Sequence, residues 1–195
     1  MNINPRRILG FWDDGFSLDV HTTDSVLLGH DEFGHPEFDT RRTELGERLY
    51  QLKYRGDRSA VASLAEVAAG FVRSWNPGVN IIVPVPPSRH RQFQPLLAVA
   101  EHLAKRLDLP FDATSVQKVK KVPELKGVFD LSKRTELLAG AHDLQGATFQ
   151  DRRVLLFDDL FRSGATMNAI AKLLRSVGGA AAVFALTLTR TRTAL

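Results

Sequence analysis

Two adjacent carboxylates, Asp158 and Asp159, directly follow the apolar run Val154-Leu155-Leu156-Phe157. Three residues later comes Arg162-Ser163-Gly164-Ala165-Thr166, and then an apolar helical pattern begins. A buried strand that ends at two acids, turns through Ser, Gly and Thr, and enters a helix is suited to one kind of ligand. Free amides at the helix start and the helix dipole favour an anion. Gly164 permits close approach of the backbone. Ser163 and Thr166 add hydroxyl donors. The carboxylates would repel that anion unless they meet something else, such as sugar hydroxyls. A phosphate beside a diol is a ribose 5-phosphate.

A second chemical stretch is Val83-Pro84-Val85-Pro86-Pro87-Ser88-Arg89-His90-Arg91. It again leaves an apolar run and delivers arginines to the strand's carboxyl end, where open α/β sheets bind ligands. A third is the segment 117–130, which fits neither the helical nor the strand period and carries Lys118, Lys120, Lys121 and Lys126. Loops of this length are often lids. The bland readings are a solvated turn and an exposed surface loop.

The elements that would position these groups alternate. Helical periodicity covers Leu45, Leu49 and Leu52, then Val61 to Val72, then Leu96 to Leu107, then 167–177. Apolar β-branched runs at 79–85, 111–116, 154–157 and 182–188 read as strands buried on both faces. The expected fold class is therefore α/β, an open, mainly parallel sheet flanked by helices. Residues 1–42 read as a separate β-rich elaboration before a main domain at 43–195. An Asp14-Gly15 hairpin turn is expected within 11–20, a short strand at 25–28 and a loop at 29–39.

The chain of 195 residues has no cysteine, which excludes disulfides, thiol catalysis and cysteine-ligated zinc. No apolar run reaches the length of a membrane span, and the arginine-containing start has no apolar core of a secretory signal. A cytoplasmic protein without a membrane partner is expected. Charge is uneven. Residues 11–39 hold eight acidic side chains and no Lys or Arg, whereas residues 86–134 hold ten basic and five acidic ones. The basic middle suits a polyanion. Nucleic acid is one such polyanion, and its binding would show a steep salt dependence.

The 154–166 stretch resembles the signature of type I phosphoribosyltransferases, which bind 5-phosphoribosyl-1-pyrophosphate (PRPP). The resemblance implies that Asp158 and Asp159 contact the ribose hydroxyls and that Arg162, Ser163, Gly164, Ala165 and Thr166 cradle the 5′-phosphate. It makes Ser88, Arg89, His90 and Arg91 a pyrophosphate loop, with Arg89 acting on the leaving group beside the two aspartates. It makes the lysines at 118, 120 and 121 part of a flexible loop that closes over the site. Mg²⁺ would be held mainly through PRPP, with no protein metal site of its own.

Within that superfamily the chain is similar to ComF-like proteins. The marks are Leu52-Lys53-Tyr54-Arg55-Gly56, Pro84-Val85-Pro86 with Arg89 and Arg91, Lys126 with Arg134, Gly140-Ala141, and a final strand ending at Arg190. It lacks the cysteine zinc module that many of them carry. Arg162 stands where purine-salvage enzymes of the superfamily place an aspartate, and an arginine stays protonated, so it cannot act as a general base. The implied activity is transfer of 5-phosphoribosyl to a nitrogen acceptor with release of pyrophosphate. The alternative is a non-catalytic module that senses PRPP or a nucleotide, or that associates with nucleic acid. A homodimer is compatible with either.

Smaller candidates remain. His21, His30 and His35 with Asp31, Glu32 and Asp39 match no metal-ligand spacing. Trp12, Phe16 and Phe33 read as a partner patch or as packing onto the core. Arg190 and Arg192 would touch the acceptor, a nucleic acid or only solvent.

Overall fold

The computed structural model describes residues 1–88, 91–119, 140–146 and 149–192. Its centre is a five-stranded sheet in the order β1-β2-β9-β8-β5. The strands are β1 (Arg6–Arg7), β2 (Asp14–Val20), β5 (Ile81–Pro84), β8 (Arg153–Phe161) and β9 (Ala182–Arg190). Pairs β2–β9, β9–β8 and β8–β5 are parallel, and only the short β1 runs antiparallel.

Both faces of the sheet are covered, as the continuous apolar runs require. The pleat sends alternate side chains to opposite layers. Leu155, Phe157, Phe184 and Leu186 pack with α1 (Glu44–Tyr50), α2 (Ala60–Trp75) and α3 (Pro95–Leu107). Val154, Leu156, Val183 and Ala185 pack with the helix at Ala165–Ser176, here α4. The architecture is thus the expected α/β type, three-layered and mainly parallel.

The amino-terminal region departs from expectation. Asp14-Gly15 is not a hairpin turn. It opens β2, where Gly15 lies against Ala185 of β9 and the Trp12 ring, leaving no room for a side chain. The elaboration that does project is the hairpin of β3 (Thr22–His30) and β4 (Pro36–Arg42). It includes most of the expected loop at 29–39. The reversal is local: Asp31 Oδ1 accepts hydrogen bonds from the amides of Phe33 (2.9 Å) and His35 (2.8 Å). The Asx geometry thereby replaces a longer loop. β2 lies on the amino-terminal side of the expected 42/43 division and is a member of the main sheet.

Three boundaries differ from the sequence reading. The strand expected at 111–116 is reduced to an isolated bridge between Phe111 and Ile82. Asp112 draws the chain into a turn by accepting from the amides of Thr114 and Ser115, both at 2.9 Å. The strand that follows is β6 (Val116–Lys118), paired with β7 (His142–Leu144). The largest difference is in β8. It does not stop at Phe157 but continues through Asp158 and Asp159 to Phe161, because Thr187, Thr189 and Arg190 of β9 keep pairing with it.

Candidate functional site

β8 carries the central part of the site beyond the last fully buried ring, Phe157, which is 0% exposed. Because the strand continues, Asp158 and Asp159 are not loop residues. They are held in ladder geometry, and alternation sends their side chains toward opposite layers. Only Arg162, Ser163 and Gly164 then separate β8 from α4. Gly164 is the residue before the helix and has φ 71°, in the left-handed region. A Cβ there would stand 2.7 Å from Phe161 Cε2. Glycine is therefore required on both backbone and steric grounds. α4 has no side-chain cap at its start. Its first-turn amides have no acceptor within the helix, a position chemically suited to an anion.

Asp159 is engaged already. Lys53 Nζ donates to its Oδ2 at 2.8 Å, and both side chains are about one-fifth exposed. Lys53 comes from Gln51–Arg55, a π-helical turn that continues α1 and ends at Gly56 with φ 72°. Such π turns occur often at functional sites. One lysine contact leaves a carboxylate with further lone pairs for hydroxyl donors. The Asp159 carbonyl accepts from Thr189 Oγ1 at 3.1 Å, and Thr189 Oγ1 also lies 3.3 Å from His21 Nδ1. His21 is held below its usual pKa by burial and by the cations Arg42 and Lys53. It is thus a neutral neighbour of the acids at pH 7.

Asp158 is the opposite case. Burial, and secondly the Asp159 charge beside it, push its carboxyl up to about 8. Its Oδ1 accepts from the Asp159 amide at 2.8 Å. The folded state therefore holds this proton through a pH range in which an unfolded aspartate, with a pKa near ~3.9, has lost it. Folding then binds more protons than the unfolded chain between those values, so this group makes stability fall as pH rises from ~4 toward 8. Asp158→Asn is expected to raise the melting temperature of the ligand-free protein at pH 8 and to have little effect near pH 4. A melting-temperature difference that stays flat across this range would contradict the assignment.

The other residues expected at the site divide clearly. Arg162 is exposed, Ser163 is half-buried, and Gly164 and Ala165 are buried beneath the turn. Thr166 is half-buried in the first turn of α4. Ser88 and Arg91 are exposed beyond β5, on the strand neighbouring β8. Arg89 and His90 lie outside the described residues. Lys118 is exposed at the end of β6. The remaining lysines, Lys120, Lys121 and Lys126, and also Arg134, lie outside them.

Lys53 was legible only as part of a family mark, and His21 only as a metal candidate. Of that metal set, His35 instead pairs with Asp31 (3.3 Å), and no His, Asp or Glu group among the described residues converges as a metal site. Trp12 packs its ring against Phe161, and Phe16 packs against Phe71 and Trp75. Phe33 is left 76% exposed at the hairpin tip.

The chain is similar to several known proteins. The family model for the phosphoribosyl transferase domain matches residues 97–194, which take in β8, the turn, α4 and β9. Competence protein ComFC of Bacillus subtilis (strain 168) is 28% identical over 170 residues, covering 86% of this chain and 67% of that protein. Competence protein F of Haemophilus influenzae is 32% identical over 102 residues, covering 50% of this chain and 44% of that protein. A solved structure of adenine phosphoribosyl transferase from Trypanosoma brucei, in complex with AMP, pyrophosphate and ribose-5-phosphate, aligns with a TM-score of 0.52 at 12% identity. It covers 97% of this chain and 87% of that one. At that identity the likeness is one of fold.

Proposed function

The chain belongs to the phosphoribosyl transferase domain family, as a ComF-like member of the type I superfamily, and on that premise we propose that it binds PRPP and transfers the phosphoribosyl group to a nitrogen acceptor. The observation that carries this reading is the course of β8. It passes from the core through Asp158 and Asp159 into a three-residue turn with a left-handed Gly164 and an uncapped α4. Phosphate would lie on the α4 amides, and the ribose hydroxyls would meet the two carboxylates.

Each group has a defined task in this scheme. The amides at 164–166 and the hydroxyls of Ser163 and Thr166 fix the 5′-phosphate, and so the sugar's position. Asp159, steadied by Lys53, accepts from a ribose hydroxyl. Asp158 is protonated in the empty site and can donate to a ribose oxygen; an incoming cation would favour its ionised form. The acceptor nitrogen forms its bond to C1′ while the C1′–oxygen bond breaks, and that electron pair leaves on pyrophosphate. The acceptor's N–H proton passes to solvent, since Arg162 cannot take it. Ser88, Arg89, His90 and Arg91 would offset the charge growing on the leaving group. Closure of the 118–121 lysines would keep water from the cationic sugar.

Hard carboxylate oxygens suit Mg²⁺, which binds through one or two carboxylates plus substrate phosphates. Asp158 and Asp159 would supply the protein's share. When bound, the metal neutralises the diphosphate and aids its departure.

A pyrophosphate-release assay with PRPP and Mg²⁺ against a panel of bases and amines tests the activity. Release that depends on one acceptor class is the expected result. PRPP binding without release for every acceptor would replace transfer by sensing.

A further inference from the structure

The loop at residues 8–12 is tied to the central sheet at both ends. Ile8 donates its amide to the Gly15 carbonyl at 2.9 Å, and just beyond the loop Asp13 donates to the Val183 carbonyl at 2.8 Å. Within it, Trp12 Nε1 donates to the Ile8 carbonyl at 2.9 Å. Ile8 and Trp12 are buried, while Leu9 and Phe11 between them stay exposed. The loop is therefore closed on itself and anchored to β2 and β9.

Two routes lead from this loop to the turn after β8. On the first, the Trp12 ring meets Phe161 edge-on, with centroids 6.3 Å apart. Phe161 in turn fills the space where a side chain at Gly164 would stand. On the second, the Phe11 amide donates to Asn168 Oδ1 at 2.7 Å. The Asn168 amide donates to the Gly164 carbonyl at 2.8 Å. One turn further along α4, Lys172 Nζ stands 3.8 Å from the centre of the Phe11 ring. The fit dictates a residue type. A Cβ on Gly10 would overlap the Trp12 ring and Asn168 Oδ1, although Gly10 is not among the positive-φ glycines. Both routes end at Gly164, whose left-handed backbone sets the direction of the first α4 amides. A ligand site works only when supporting contacts hold its groups to within ~0.5 Å.

We propose that loop 8–12 positions the phosphate turn, with Trp12 and Asn168 as positioning residues, and thereby sets the affinity of the site for phosphorylated ligands. The proposal rests on the PRPP reading above. It extends that site to a stretch whose Phe11 is 157 residues from Asn168 in the chain.

The test is calorimetric titration of Trp12→Leu, Asn168→Ala and Gly10→Ala with PRPP and Mg²⁺. Each is expected to weaken binding by ~10-fold or more, the factor that ~1.4 kcal/mol provides. Trp12→Phe keeps a ring against Phe161 and is expected to recover most of the affinity. Trp75→Leu is the control of like chemistry. Trp75 packs on Phe16, Phe71 and Phe184 in the opposite layer of the sheet, so its loss should lower stability and leave PRPP affinity unchanged. Asn168 is half-buried, so its variant still reports if Trp12→Leu does not fold. A second readout needs no ligand. Hydrogen exchange at the amide of residue 168 is expected to be faster in Trp12→Leu and Gly10→Ala than in Trp75→Leu.

Unchanged PRPP affinity in both Trp12→Leu and Asn168→Ala overturns the proposal. So does an equal loss in Trp75→Leu, or exchange at residue 168 that none of the loop variants alters. If the unaltered protein binds no PRPP, the transfer reading falls. Ribose 5-phosphate, titrated in the same way, and exchange at residue 168 then decide the role of the loop.

Discussion

Replacing Asp158 and Asp159 together by asparagine is expected to weaken PRPP binding by ~100-fold or more while leaving the protein folded. In the ligand-bound site, where the incoming cation favours the ionised form of Asp158, each carboxylate exchanged for an amide loses a charge-assisted hydrogen bond to a ribose hydroxyl, worth ~1.5–3 kcal/mol. Two such losses sum to between two and four powers of ten in affinity. The effect on folding has two parts. Asp158 is destabilising above its unfolded pKa, so its amide relieves the ligand-free fold at neutral pH. Asp159 is paired with Lys53, so its amide leaves that half-buried lysine with a weaker partner. Calorimetry for PRPP and a thermal melt on the same sample separate these contributions. Unchanged PRPP affinity in the folded double variant would remove the two acids from the site.

The second large effect is expected at Gly164. Valine there would have to adopt a φ near 71° and place its Cβ against the Phe161 ring, whose Cε2 would be 2.7 Å away. The left-handed backbone costs ~1–2 kcal/mol for a non-glycine residue, and Phe161 cannot withdraw freely because it packs on Trp12. The turn must therefore move, and with it the amides at the start of α4. Gly164→Val is expected to abolish detectable PRPP binding and to lower stability by ~1–3 kcal/mol. Gly34→Val is the control: its φ is 78°, yet open space surrounds it at the hairpin. It should carry the backbone cost alone and bind PRPP normally. Equal PRPP binding by both variants would show that the Gly164 turn does not shape the phosphate site.

Much of this was legible in the residues. The apolar runs of β5, β8 and β9 and the stripes of α2, α3 and α4 carry their own period, so the layered parallel sheet followed from pattern alone. The strand–turn–helix proposed for the phosphate was legible as a candidate because Ser, Gly and Thr between a strand and a helix suit an anion.

What escaped was set by tertiary partners. β8 was expected to end at Phe157 because aspartates disfavour strands, but pairing with β9 carries the ladder to Phe161. The projecting hairpin was displaced from Asp14-Gly15 to Asp31 because the first is pinned beneath β9 and Trp12, while the second closes its own turn. Lys53 lies 106 residues from Asp159 in the chain, and no local spacing reveals that contact.

The most direct test of the central claim is a calorimetric titration of the unaltered protein with PRPP in the presence of Mg²⁺, repeated with ribose 5-phosphate and with ribose as competitors. The account predicts saturable binding at one site per chain, displaced by ribose 5-phosphate and untouched by ribose at the same concentration. No binding, or displacement by ribose as effective as by its phosphate, would contradict it.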